Sequence, residues 1–523
     1  MYYKFSAPME PLRSHMNFFK HTSMCEFMFN KIHVHFILFL LLNYSFSSFA
    51  QSCGCHVTEV EQNKVKPCGD VIGPIDTVQT TAQLRAAIIR VNAEGGNRTI
   101  LIEDGTYPIA SPDWYPYITA SNIVIRSLSG NRNGVIITGT GMKSVAPLVE
   151  IGFYIIGDNV TIADMTIRNL GNHGIAVKGD NLFVHNVRIQ NTFEQMLKGN
   201  RTPNGIQRAI VECSLFEYTA GVGPQFYIGG LDIHGGNYWN VYDNVFKNIA
   251  SPSKSQAEHA IHFWDHSADN FIHRNIIINC DRGIGFGLGK SPNEGGIISN
   301  NMIYNDGKSK FNDVGIGLES SPNTKVFNNT LLIEYPNAIE YRFEATQHVQ
   351  IINNLTNQTI RPRNGGKATL ITNFEKASAN WFVDPSAGNL RLNGPIAQVV
   401  DRGTYVKEVL LDIDRSQRPL SFRYDIGAHE YLSPSFSSDE SSPASHLQVF
   451  PTPATHSFTL ISTDKKHYDI QIYDALTHVV LSNSHVQLNE GLKINTASLP
   501  RGVYFCRIST ENNTTTIKRI LLE

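Results

Sequence analysis

One position recurs down the middle of the chain. When TIADMTIRN, FVHNVRIQN, IVECSLFEY, VYDNVFKNI, IHRNIIINC, IISNNMIYN, KVFNNTLLI and QIINNLTNQ are aligned, Met165, Asn186, Cys213, Asn244, Asn275, Asn301, Asn329 and Asn354 share one place, at spacings of 21, 27, 31, 31, 26, 28 and 25 residues. Such a period belongs to solenoids, in which each repeat buries its apolar face only by stacking on its neighbours. The repeats are rich in β-branched residues and lack a 3.6-residue period, so each holds two or three short strands. Asparagine tolerates the left-handed backbone of a sharp bend, and its amide can bond to the next amide along the stack. An all-β solenoid with an asparagine ladder inside one turn is expected.

That ladder resembles the one in the right-handed parallel β-helix of the pectate-lyase-like superfamily. The resemblance covers residues 75–431. TTAQLRAAIIRVNAEGG reads as an amphipathic helix with a threonine start and a glycine stop, placed to cover the open edge of the first coil. WFVDPSAGNLRLNGPIAQVVDRG and YDIGAHEY resemble the closing segment of bacterial β-helix proteins. A Ser/Pro-rich linker at 432–446 follows, and residues 447–523 alternate as a small β-sandwich. Its FPTPA, IYDA, LPRGVYFCRI and basic end resemble the C-terminal sorting domain of the type IX secretion system of Bacteroidota, with Thr452 where that family has asparagine. This resemblance implies passage through periplasm and outer membrane to a secreted or cell-surface location, with the secretion machinery as a partner.

The other end agrees with export. Residues 1–50 read as a signal peptide: NKIHVHFILFLLLNYSFSSFA has a lysine, an apolar core too short to span a bilayer, and small Ser48 and Ala50 before Gln51. In an oxidising compartment, Cys53, Cys55 and Cys68 of the segment 51–74 are expected as disulfide partners, and Cys213 and Cys280 as buried thiols. A net charge of -2 and a pI near 6.8 exclude nucleic acid as the main partner. A monomer is expected.

Candidate chemistry follows from which side chains share a face. The strands GIAVKG, QMLKGN, GLDIHGG, AIHFWDH, GIGFGLG, VGIGLES and AIEYRFE precede the asparagine turns, and their side chains alternate between core and water. With the apolar set inside, the outer face reads Lys198, then Asp232 and His234, then His262 and Trp264, then Gly285 and Gly287, then Glu319. His259 and Arg282 lie just before their strands and are expected at the rim. Coils stack about 4.8 Å apart, so Lys198 to Arg282 spans on the order of 14 Å, room for two or three sugar rings. Gly285 and Gly287 are read as a bare floor for a ligand, and Trp264 as a sugar-stacking plane. The two 31-residue spacings add loops, EYTAGVGPQFYIGG and NIASPSKSQAEH, that could wall a groove.

Cations and imidazoles beside few carboxylates point to a lyase cleaving a uronic-acid polysaccharide by β-elimination. That reaction needs a cation for the carboxylate, a base for the adjacent proton and an acid for the leaving oxygen. Lys198, His234, His262 and Arg282 are the catalytic candidates; Asp232, Trp264, Gly285, Gly287, His259 and Glu319 would hold the polysaccharide substrate. No cofactor or metal ligand set is evident, although Ca2+ could serve if Asp232, Glu319 and Glu340 converged. The alternatives are a glycoside hydrolase pairing Asp232 with Glu258, Asp265 or Asp281, and a non-catalytic glycan-binding surface protein. His173 in NHGIAVKG resembles a histidine motif of polygalacturonase-type hydrolases, but the aspartate pair those enzymes need is missing from neighbouring coils.

Overall fold

The computed structural model describes residues 54–523 apart from 110–113, 144–149, 422, 433–446, 452, 475–478 and 511–514. The export signal, Cys53 and nearly all of the linker lie outside the described residues. Residues 75–371 form a parallel β-solenoid in which each coil contributes short strands to successive faces. One face is a ten-stranded parallel sheet running from Tyr117–Ile118 to Thr359–Arg363, and it carries Leu231–His234 and Ile261–Trp264 at its middle. The interior is a stack of aliphatic and aromatic side chains, among them Ile233, Phe263, Phe286 and Leu318, with no exposed surface. The helix Thr81–Ala93 opens at Thr80, whose side chain accepts the Gln83 N–H, and Gly95 follows its end at φ +82°. Its apolar residues Leu84, Ile88 and Val91 join the core at the first coils.

The asparagine turn divides between two columns the work that one column was expected to do. Asp164, Asn186, Cys213, Asp243, Arg274, Asn300, Asn328, Asn353 and Thr372 take the left-handed conformation. The residue after each points inward, and there the ladder stands: Asn244, Asn275, Asn301, Asn329, Asn354 and Asn373 pass Nδ2 to the next Oδ1 at 2.9–3.0 Å. Asn186 and Cys213 therefore sit one residue before the ladder, and Met165, Val187 and Ser214 hold its first places. Ser214 ends it by donating its backbone N–H to Asn244 Oδ1 at 2.9 Å. The reason is geometric: a left-handed residue makes the bend and aims its own side chain outward, so the amide that must be buried belongs to its successor.

Those outward side chains dock the rest of the chain. Asn300, Asn328 and Asn353 donate to the carbonyls of Leu411, Asp425 and Thr404 in the closing segment. Cys213 is not a free thiol: it is bonded to Cys55, which ties the N-terminal segment to this column across 158 residues of sequence. Cys68 is also disulfide-bonded, and Cys280 is a buried thiol as expected. At the other end, Leu447–Phe450, Ser457–Ser462 and Leu492–Asn495 form one antiparallel sheet, and Val479–Gln487, His467–Tyr473, Gly502–Thr510 and Thr515–Leu522 another. Phe458, Leu460, Ile470, Ile472, Ile508 and Ile520 are buried in one shared core.

The left-handed column contains one group at odds with its surroundings. Asp164 is fully buried; its Oδ1 accepts from Asn186 Nδ2 at 2.8 Å, while Oδ2 has no hydrogen-bond partner. Burial pushes its carboxyl up to about 6, against the Asn186 bond and the charges of His185 and Arg126. Because the folded value stands above the ordinary ~3.9, ionisation costs the folded state: the stabilising contribution is complete below about pH 4 and is lost as pH rises through about 6. Asparagine adopts the same backbone and keeps the acceptor. Asp164→Asn is expected to raise stability by about 2 kcal/mol at pH 7 and to flatten its pH dependence between about 4 and 6, read by denaturant unfolding. Destabilisation at pH 7 would mean that the Arg126 ion pair, 3.4 Å away, outweighs the burial.

Candidate functional site

Register settles which side chains share a wall. Lys198, Asp232, His262, Gly285, Gly317 and Glu340 follow one another in a single outward column of the ten-stranded sheet, and His234 pairs with Trp264 beside it. The shared face read from alternation is present. Its exposure is not what alternation suggested, because the loops from the longer coils close over part of it. Glu258 N–H bonds to Ile228 O, and Gly230 N–H to His259 O, so the two 31-residue coils run along the column and lay Glu258 and His259 against it.

Asp232 is the hub. It is 2% exposed, accepts Lys198 Nζ at 2.5 Å on one oxygen and Trp264 Nε1 at 2.7 Å on the other, and has His262 Nδ1 at 3.8 Å. Burial alone would raise its carboxyl, but His234, with Nε2 at 3.6 Å, and the charges of Lys198 and His262 hold it far below the usual carboxylate range. Asp232 is thus a buried counter-ion, where a substrate contact was expected. His262 has no exposed surface and donates Nε2–H to the Gly287 carbonyl at 3.1 Å. Burial lowers its basicity, and Glu258, Asp232 and the Gly287 carbonyl together more than reverse this. It lies behind Trp264, ring to ring at 5.6 Å and nearly parallel, so it cannot touch a bound chain as a catalytic group must.

Other expectations change for the same reason. Gly285 is no floor: a Cβ there would lie 2.6 Å from the His259 ring, which fills the space. His259 is 6% exposed and packed on His262 rather than at a rim. Gly287 serves the backbone, at φ +72° with the Glu319 carbonyl where a Cβ would stand. Arg282 is committed to Asp313 at 2.9 Å and to Gln256. Glu319 accepts the Gly289 N–H and Arg342, both at 2.7 Å, and Glu340 is held by Arg363, so these two carboxylates and Asp232 do not converge as a Ca2+ cage would need. Asp281 accepts the Ser251 and Ala257 N–H groups and holds the loop rather than facing Asp232.

The reachable part of the cluster is His234, with Lys198, 7% exposed, directly behind it. Lys198 Nζ lies 2.8 Å from His234 Nε2, and the His234 side chain is 23% exposed. Two nitrogens this close cannot each direct a proton at the other, so one proton lies between a bearer and a free base. Arg201 stands next to them, ion-paired with Asp265 at 3.1 Å and 41% exposed, its stem across the turn at Gly235. Asp265 Oδ2 is in turn 3.8 Å from His234 Nδ1. On the other flank His173 donates Nδ1–H to the Gln195 carbonyl at 2.9 Å and faces Glu194 at 3.6 Å. Burial drives His173 down to about 4 and raises the Glu194 carboxyl, the latter opposed by Lys198.

The column also continues towards the N-terminus. Ala176 separates Lys198 from Tyr154, which pairs with Tyr117. Tyr117 and Tyr154 stack at 5.3 Å with Tyr115 against both, and Lys178 stands 5.9 Å over the Tyr154 ring. Arg201, Glu194 and these tyrosines escaped the sequence reading, which looked only at strands beside the ladder turns. The alternation of Tyr117 and Tyr154 in their own strands was the available signal.

The C-terminal sandwich is matched by a family model. Residues 448–523 fit the secretion system C-terminal sorting domain. This segment is a secretion sorting domain. The chain is accordingly an exported protein, secreted or held at the cell surface, and the secretion machinery handles it through this domain. No curated protein matches the chain. Among solved structures it is similar to pectate lyase Pel9A, with 16% identity and TM-score 0.48 over 70% of this chain and 98% of that one. An alginate lyase from Paenibacillus sp. str. FPU-7 gives 16% identity and TM-score 0.35 over 51% and 95%. An endo-xylogalacturonan hydrolase from Aspergillus tubingensis gives 12% and 0.31 over 57% and 93%.

Proposed function

We propose that this exported solenoid is a polysaccharide lyase that cleaves a uronic-acid chain by β-elimination at Lys198 and His234. The observation that carries the reading is the 2.8 Å contact between the buried Lys198 Nζ and Nε2 of the partly exposed His234. A pair sharing one proton offers a base and, once loaded, an acid on the same side of a substrate. The free-base partner takes the proton from the carbon next to the uronate carboxylate. The electron pair left behind forms the carbon–carbon double bond, the glycosidic C–O bond breaks, and the pair returns a proton to the leaving oxygen. Asp232 balances the charge of the pair throughout, held in place by Trp264. Arg201, 41% exposed although ion-paired with Asp265, is the cation that would meet the substrate carboxylate. Two coil steps away, about 10 Å, the Tyr115–Tyr117–Tyr154 platform with Lys178 suits the flat faces and carboxylates of flanking sugars.

A hydrolase finds less support, since Asp232 is sequestered, Asp265 is paired with Arg201 and Asp281 is turned into a loop. The test is incubation of the mature protein with alginate, pectate and glycosaminoglycans. Lyase action is expected to release products with the ultraviolet absorbance of a conjugated double bond. New reducing ends without that absorbance would replace this reading with hydrolysis, and binding with neither signal would replace it with a glycan-binding surface protein.

A further inference from the structure

Behind the accessible edge lies a second cluster that the elimination chemistry does not use. Glu258 Oε2, His259 Nδ1 and His262 Nδ1 are buried and make no hydrogen bond. They converge: Glu258 Oε2 is 3.4 Å from His262 Nδ1 and 4.0 Å from His259 Nδ1, and each of the three residues offers a ligand atom within 4.8 Å of the others. An orphaned buried polar atom is costly, and three facing one point are not expected in a finished core.

The tautomer of His262 sharpens the case. Its Nε2 bonds to the Gly287 carbonyl, which can only accept, so Nε2 carries the hydrogen. In the neutral ring, Nδ1 then presents a lone pair to Glu258, and to Asp232 Oδ1 at 3.8 Å. Electron-rich atoms gathered in this way require a cation between them. A proton on Nδ1 would satisfy His262 and Glu258 and leave His259 stranded; a divalent ion serves all three. A backbone carbonyl fixing the far nitrogen of the ring is also the usual outer support of a metal-ligating histidine. Gly285 completes the construction, since any side chain there would displace the His259 ring.

We propose that Glu258, His259 and His262 bind a divalent transition-metal ion of the zinc class. Two imidazole nitrogens with one carboxylate suit such an ion, whereas Ca2+ takes six to eight oxygens. Ligand atoms around zinc stand about 3.4 Å apart. The Glu258–His262 pair already has that spacing, and rotation of Glu258, whose side chain is 24% exposed, brings in the rest and opens the way for entry. The ion stands behind Asp232 and Trp264 and makes the wall of the pocket rigid. It does not depend on the lyase reading.

The experiment uses the untagged mature protein. Metal content is measured by mass spectrometry as purified, and again after stripping with chelator and dialysis against Zn2+, Mn2+ or Ca2+ singly; thermal unfolding is followed in each state. One equivalent of Zn2+ or Mn2+ per chain, with a rise in Tm that Ca2+ does not produce, is expected. His259→Gln and the more exposed Glu258→Gln are expected to bind less than a tenth of an equivalent while unfolding cooperatively near the Tm of the stripped wild type. Wild-type protein that retains no transition metal and shows no Tm shift, or variants that bind as the wild type does, would overturn the site. Glycan cleavage is not a readout here, so loss of the lyase reading leaves this result standing, and the reverse.

Discussion

Lys198→Arg is expected to leave the protein folded and to lower elimination activity by about 10²–10⁴-fold, the range for removing a positioned acid–base group. Arginine keeps a cation beside Asp232 but does not release its proton at any pH the fold survives, so charge balance persists while proton shuttling ends. Lys198→Met makes the complementary case. Asp232 would remain buried with Trp264 but without its cation, and breaking a buried pair from one side costs about 3–5 kcal/mol. The two variants separate the roles: arginine tests chemistry at intact stability, methionine tests the counter-ion at the expense of stability. Kinetics of double-bond formation and denaturant unfolding are measured on both. An arginine variant within about tenfold of wild-type activity would show that Lys198 takes no part in the proton transfer, because a loss that small lies below the acid–base range.

Asn301→Ala should destabilise the solenoid by about 4 kcal/mol. Asn301 is fully buried at the middle of the ladder; its Oδ1 accepts the Asn275 backbone N–H and Nδ2 at 3.0 Å, and its Nδ2 reaches Asn329 Oδ1 and the Ile272 carbonyl at 2.9 Å. Alanine leaves several of these groups facing an apolar void, at about 1–3 kcal/mol for each one that stays unsatisfied. Asn186→Ala, outside the ladder and bonded to Asp164, is the contrast: it orphans one group rather than several and should cost about 1–3 kcal/mol, less than Asn301→Ala. Equal losses at the two positions would contradict the two-column account of the turn.

The difference between these two asparagines marks where sequence pattern stops being informative. A repeat of polar residues in apolar surroundings identifies the turn, but Asn186 and Asn244 look alike in a string. Which of two adjacent residues bends the backbone and which turns its amide inward depends on φ at each position, and a one-residue offset exchanges the roles. Cys213 was misjudged through that offset: placed inward it reads as a core thiol, whereas in the left-handed column it points out and meets Cys55.

The face followed a similar course. Period-two alternation placed Lys198, Asp232 and His262 on one wall, and the paired registers agree. Alternation distinguishes core from outer wall; it does not tell whether the outer wall meets water. The 31-residue spacings announced extra loops without saying that one of them would deliver Glu258 and His259 onto the column. With that cover in place, His262 becomes buried and Asp232 becomes a counter-ion, while His234, Arg201 and the tyrosine platform form the accessible edge.

From the residues alone came the repeating all-β architecture, the asparagine-lined turn, the capping helix, and the C-terminal segment that marks the chain for export, because each is written in local period or short motif. Only the folded molecule decided which polar groups are reachable and which are orphaned. That depends on loops packed across coils distant in sequence and on the loss of solvent they impose, and no local pattern records either.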